Sequence, residues 1–113
     1  MEVVERRKRL REKIIEDASV WARKLSLRTT AVLIGSYARG DFNLWSDVDV
    51  LLISDDFRGG PVERLNSLEI PPGFQVIPLT SKEFRRLLKR KDILAVEAVK
   101  YGIVLRDDLG MMS

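Results

Sequence analysis

Two aspartates one residue apart, Asp47 and Asp49, follow a glycine–serine pair in the run Gly35-Ser36-Tyr37-Ala38-Arg39-Gly40-Asp41-Phe42-Asn43-Leu44-Trp45-Ser46-Asp47-Val48-Asp49-Val50. A strand alternates its side chains, so Asp47 and Asp49 project from one face while Val48 and Val50 project from the other. Their Cα atoms then lie roughly 6.6 Å apart, two strand rises, close enough for both carboxylates to hold one divalent cation. Without a cation, the two charges repel by roughly 2–3 kcal/mol at an effective dielectric near 20. The Gly35-Ser36 turn adds backbone N–H groups that can face phosphates. Carboxylates for a hard cation beside a turn for phosphate read as a site for a nucleotide with Mg²⁺.

Composition narrows the chemistry further. The chain has 113 residues and contains neither Cys nor His. Disulfides, thiolate nucleophiles, Cys/His zinc sites and imidazole acid–base catalysis are excluded. Any catalysis runs on carboxylates, hydroxyls, Lys, Arg, backbone amides and hard metal ions. Amides are scarce (Asn43, Asn66 and Gln75) while Lys, Arg and Glu are plentiful, a bias of the thermophilic kind. Hydrophobic residues make up 45% and charged residues 33%, which places the chain among globular proteins. Its length fits one domain, 1–113, with one modest core. No apolar run approaches the ~20 residues of a membrane span and the N-terminus shows no signal-peptide pattern, so the expectation is a cytoplasmic protein without membrane contact.

The elements that must position these residues follow from periodicity. Leu10, Ile14, Ala18, Trp21 and Leu25 recur at helical spacing within a helix from about Val3 to Leu27, with Trp21 as a core anchor. Thr29 to Ile34 is β-branched and apolar, a strand buried on both faces that ends at Gly35-Ser36. One helical turn fits Tyr37 to Arg39, a mixed loop fits Asp41 to Ser46, and a second strand fits Asp47 to Ile53. Pro61 opens a short helix through about Leu68. Phe74 to Leu79 is a third strand. Thr80 and Glu83 form a capping box with Leu79 and Phe84 as staple, and Asp92 caps a last helix ending at Tyr101 before Gly102. Ile103 to Leu105 adds a final strand. The expected fold class is α/β, a small mixed β-sheet packed with helices. The last helix (Ile93, Leu94, Ala95, Val96, Ala98, Val99) fits either a core element or a protein interface.

The net charge of +3 has its basic excess in two stretches, Arg6–Lys13 and Lys82–Lys91. Both read as solvated helix faces, with an electrostatic surface for RNA, DNA or an acidic partner as the alternative. The one aromatic in either stretch is Phe84, the staple of the capping box, so neither offers an aromatic platform for base stacking.

The Gly-Ser pair followed by Asp-x-Asp resembles the signature of the DNA polymerase β-type nucleotidyltransferase superfamily, and most of all its stand-alone minimal nucleotidyltransferases of archaea and bacteria. The resemblance implies a polymerase β palm-like fold. It implies a phosphate-binding turn at Gly35 and Ser36, a basic group at Arg39 that reaches the triphosphate, and metal-binding carboxylates at Asp47 and Asp49 holding Mg²⁺, as one ion or two. It also implies transfer of a nucleoside monophosphate, AMP from ATP by default, to an acceptor hydroxyl. In the minimal family a helical HEPN-domain partner commonly pairs with such a domain in a toxin–antitoxin arrangement, with the nucleotidyltransferase as antitoxin. Arg39 has the alternative of pairing with Asp41. Trp45 either packs its loop down or contacts the nucleotide, and Tyr37 either packs the short helix or donates a hydroxyl.

One position departs from the family pattern. The third carboxylate is expected on the next core strand, where the polar residue is Gln75. An amide ligates through its carbonyl but brings no negative charge and cannot act as a general base. Asp55, Asp56 and Glu69 are the nearby substitutes. Besides an enzyme, the sequence therefore admits a catalytically weakened module that binds nucleotide or masks a partner, and a basic nucleic-acid-binding domain.

Overall fold

Thr30–Ile34 forms β1, and every residue in it is buried. In a computed structural model, which describes residues 2–112, β1 sits inside a four-stranded sheet. Residues 1 and 113, the two ends of the expected domain, lie outside the described residues. The elements run α1 (Val3–Lys24), β1, α2 (Gly35–Arg39), β2 (Val48–Ile53), α3 (Pro61–Asn66), β3 (Phe74–Leu79), α4 (Ser81–Lys89), α5 (Ile93–Tyr101) and β4 (Ile103–Asp107). The strand order is β3-β2-β1-β4. Strand β1 is antiparallel to both β2 and β4, whereas β2 and β3 are parallel, so the sheet is mixed as expected. Pro78 is tolerated in β3 because that strand lies at an edge of the sheet.

Period-two alternation divides the core between the two faces of the sheet. Ala31 and Leu33 of β1, Val48, Val50 and Leu52 of β2 and Val76 of β3 join Ala18 and Ala22 of α1 on one face. Val32, Ile34, Leu51 and Ile53 join Phe84 of α4 and Ala95 and Ala98 of α5 on the other. Each fully buried Leu, Ile or Phe side chain contributes roughly 1.5–3 kcal/mol from its apolar area. This register also assigns the polar residues. Asp49 alternates with Leu51 and Ile53, and Gln75 with Ile77 and Leu79, so both lie on the α4/α5 face.

Helix boundaries moved where polar groups intervene. Helix α1 stops at Lys24, and the Arg106 guanidinium donates to the carbonyls of Ala22 (2.9 Å), Leu25 (2.8 Å) and Leu27 (3.1 Å), closing the helix end. Strand β4 runs on to Asp107, which pairs with Thr30 and accepts from the Thr30 hydroxyl at 2.7 Å. Helix α3 ends at Asn66, where the Ser67 hydroxyl donates to the Arg64 carbonyl. The capping box forms at α4: Thr80 Oγ1 accepts from the Glu83 N–H and the Glu83 carboxylate accepts from the Thr80 N–H. Trp21 is half-buried, donates its indole N–H to the Glu69 carbonyl and meets Phe74 edge to face. No helix among the described residues is long and apolar enough to cross a membrane.

Candidate functional site

The end of β1 delivers the Gly-Ser turn directly beside the second aspartate. Ile34 pairs with Asp49 across β1 and β2, and Asp49 pairs with Gln75 across β2 and β3. Helix α2 begins at Gly35 itself, two residues earlier than the sequence suggested. Gly35 has φ +74°, a conformation that L side chains rarely adopt. A Cβ at this position would also collide with the Asp49 carboxylate. Glycine is thus required twice, for the backbone turn and for the close approach of the carboxylate to it.

Asp47 lies in the approach to β2, which begins one residue later than expected, and is exposed; Asp49 lies within the strand and is half-buried. Burial raises the Asp49 pKa above the ordinary carboxylate value, the Asp47 charge raises it further, Arg39 opposes the rise, and Glu97 adds to it. Four charged side chains, Asp47, Asp49, Arg39 and Glu97, therefore share one electrostatic neighbourhood. Arg39 donates to Asp41 at 3.3 Å and to Glu97 of α5, and these two carboxylates raise its pKa above the ordinary arginine value. The Arg39–Asp41 pair, the alternative to phosphate contact, is present, with Glu97 as an additional partner.

Gln75 is exposed, opposite Asp49 in register. Among the described residues no three carboxylates are grouped closely enough to hold a metal ion. The substitutes considered for the third carboxylate are engaged or distant. Asp55 accepts the N–H and hydroxyl of Ser81 at the start of α4, which lowers its pKa, and Asp56 accepts the Arg28 N–H. Glu69 lines a cleft with Trp21 and Asp56, and its carbonyl accepts the Trp21 indole N–H. The donor set at the site is then the two carboxylates Asp47 and Asp49 with the Gln75 amide alongside. That set fits Mg²⁺, which characteristically takes one or two carboxylates and completes its shell with water and substrate phosphate.

Helix α2 is too short to be stable alone, and α1 holds it. Arg11 donates to the carbonyls of Tyr37 at 2.7 Å and Ala38 at 2.9 Å, and Arg7 donates to the Gly40 carbonyl at 3.3 Å while lying over the Phe42 ring. Tyr37 is buried and stacks on Phe42 at 4.5 Å between centroids, as the packing alternative required. Part of the first basic stretch is therefore spent on bracing the turn. Sequence reasoning missed this role for Arg7 and Arg11, because carbonyl partners at the end of a short helix leave no pattern in the residues themselves. It also missed Glu97, whose one visible signal was being the sole acidic residue in the apolar helix Ile93–Tyr101. Trp45 does not pack its loop: it is 90% exposed, while Asn43 and Ser46 tie the loop through backbone N–H bonds. Ala95 and Ala98 of the last helix are buried, as a core element requires, and Ile93 and Val99 are exposed.

The cleft of about 740 Å³ lined by Trp21, Asp56 and Glu69 contains none of Gly35, Ser36, Arg39, Asp47, Asp49 and Gln75. A groove of about 370 Å³ runs between Arg39 and the exposed side of α5, lined by Ile93, Val96, Glu97, Lys100 and Tyr101 among others.

The nucleotidyltransferase domain family model matches residues 15–111. No curated protein sequence matches the chain. Among solved structures, a protein from Sulfolobus solfataricus provisionally assigned as a nucleotidyltransferase superposes with a TM-score of 0.56 at 21% identity, over 89% of this chain and 83% of that one. The fold is thus an α/β, polymerase-β-like nucleotidyltransferase fold, consistent with the mixed sheet and its five helices. With the family match spanning both the Gly35-Ser36 turn and the Asp47–Asp49 pair, the chain belongs to the nucleotidyltransferase domain family.

Proposed function

We propose that the protein transfers a nucleoside monophosphate, AMP from ATP in the first instance, from a nucleoside triphosphate to an acceptor hydroxyl with Mg²⁺. The observation that carries this reading is the packing of Gly35 against the Asp49 carboxylate, which sets the Gly35-Ser36 turn directly beside the second aspartate across paired strands. Asp47 and Asp49 would hold the Mg²⁺, which would supply charge neutralisation to the triphosphate and the departing pyrophosphate. Gly35 and Ser36 present their backbone to phosphate oxygens, and the Arg39 guanidinium reaches the same oxygens from the end of α2. The acceptor hydroxyl oxygen attacks the α-phosphorus, its proton passes to solvent water, and the bond to pyrophosphate breaks so that pyrophosphate leaves. Gln75 cannot take up the acceptor's proton, so β3 supplies orientation only.

The acceptor that fits best is a hydroxyl on a separate helical protein of the HEPN class, in a toxin–antitoxin pair with this domain as antitoxin. Support for this comes from the resemblance described above. The test is incubation of the protein with Mg²⁺, α-labelled ATP and the product of the adjacent gene. Label on that product supports the proposal, and label appearing only with Gln75→Glu supports the second reading, a catalytically weakened nucleotide-binding module. That second reading rests on the amide opposite Asp49. The nucleic-acid alternative is weakened by Arg7 and Arg11, whose side chains donate to the chain's own carbonyls.

A further inference from the structure

Arg39 stands at the end of α2, acts electrostatically on Asp49, and is bound to Asp41 and Glu97. The two partners differ. Asp41 lies in the loop after α2 with its side chain 64% exposed. Glu97 is 23% exposed and projects from α5, whose Ala95 and Ala98 are fixed in the core, so its carboxylate is held by a rigid element. Ion pairs held by rigid, partly desolvated groups outweigh those on mobile exposed ones.

We propose that Glu97 is the positioning residue for Arg39: it holds the guanidinium at the mouth of the site in the nucleotide-free protein, and the incoming triphosphate must take the guanidinium over from it. This rests on the nucleotide reading given above and extends it to a residue outside the Gly-Ser and Asp-x-Asp motif. The arrangement has two consequences. Arg39 is oriented before the ligand arrives, which lowers the ordering cost of binding. A ligand lacking enough negative charge to displace Glu97 leaves Arg39 where it is, so the pair discriminates a triphosphate from a monophosphate. Glu97 also borders the groove along α5, so release of its carboxylate changes the charge of that groove only when a triphosphate is bound.

The test uses the full chain and Mg²⁺ with inorganic tripolyphosphate, a probe that carries no base. Dissociation constants are measured by calorimetry for the wild type, Glu97→Gln, Arg39→Gln and the double variant, with circular dichroism confirming the fold. Loss of the competitor in Glu97→Gln tightens binding by about fivefold, and the same substitution has a much smaller effect in the Arg39→Gln background, where only the repulsion of its own charge is relieved. Glu97→Asp, which withdraws the carboxylate by one methylene, gives an intermediate value. Unchanged or weaker binding in Glu97→Gln overturns the inference while leaving the nucleotide reading in place. Equal tightening in both backgrounds also overturns it, because Glu97 would then act through its own charge and not through Arg39. Binding that appears only in Glu97→Gln supports it, and absence of binding in wild type and Glu97→Gln alike overturns both readings.

Discussion

Replacing Gly35 with alanine separates two costs that the structure assigns to one position. The first is backbone strain: Gly35 has φ +74°, where a Cβ costs about 1–2 kcal/mol. The second is collision with the Asp49 carboxylate, which must rotate away because the new Cβ occupies its place. Gly40 provides the control, since it has φ +95° and nothing within 4 Å of a built Cβ. Gly40→Ala is therefore expected to lose about 1–2 kcal/mol, roughly 4–8 °C in melting temperature for a domain of this size, and Gly35→Ala more than that because of the collision. Only Gly35→Ala displaces the Asp49 carboxylate, so under the proposed function only it should weaken Mg²⁺-nucleotide binding by about tenfold or more, the scale seen when groups supporting a metal site are disturbed. Chemical denaturation and calorimetric titration with Mg²⁺-ATP read the two costs separately. In an Asp49→Ala background the collision disappears, and the Gly35 substitution should cost no more stability than the Gly40 one. Equal nucleotide affinity in Gly35→Ala and Gly40→Ala would refute the reasoning.

Arg11→Met removes two hydrogen bonds to the carbonyls of Tyr37 and Ala38 and should cost about 1–3 kcal/mol in urea denaturation, whereas exposed Arg9→Met stays within about 0.5 kcal/mol. The Glu83 carboxylate has its pKa lowered to about 2, chiefly by the Arg64 hydrogen bond and then by the Thr80 N–H. A depressed carboxylate stabilises the fold fully above its unfolded value of 4.5 and loses that contribution as the pH falls towards 2. Because the Glu83 side chain is 37% exposed, solvent screening limits the effect to on the order of 1 kcal/mol, and Glu83→Gln should flatten the stability curve across that acid range. Gln75→Glu places a third carboxylate opposite Asp49 and should lower the Mg²⁺ concentration for half-maximal nucleotide binding by roughly tenfold, measured by titration at fixed ATP.

Most of the architecture was legible because local signals and packing agree. The apolar run Thr30–Ile34, the Thr80/Glu83 capping box and the Asp92 cap each appear where their residues call for them. The Gly35-Ser36 and Asp47–Asp49 spacing was legible for the same reason, since a strand, a turn and a second strand bring them together with few intervening residues. Interactions across long sequence separations were not. Glu97 meets Arg39 from a helix far along the chain, and Arg11 reaches the end of α2 from a helix whose basic face looks solvated. Trp45 shows the converse: an indole in a loop suggests packing, yet the turn closed by Asn43 and Ser46 leaves it in solvent.

The central claim is that Asp47 and Asp49 form, with the Gly35-Ser36 turn, a site for a nucleoside triphosphate and Mg²⁺. Thermal unfolding of the wild type, Asp47→Asn and Asp49→Asn, each with and without Mg²⁺-ATP, tests it most directly. At about a hundredfold excess over the dissociation constant, ligand should stabilise the wild type by about 2.7 kcal/mol, a clear rise in melting temperature. Both variants should fold and show no rise. A rise of equal size in either variant, or none in the wild type at millimolar Mg²⁺-ATP, would contradict the account.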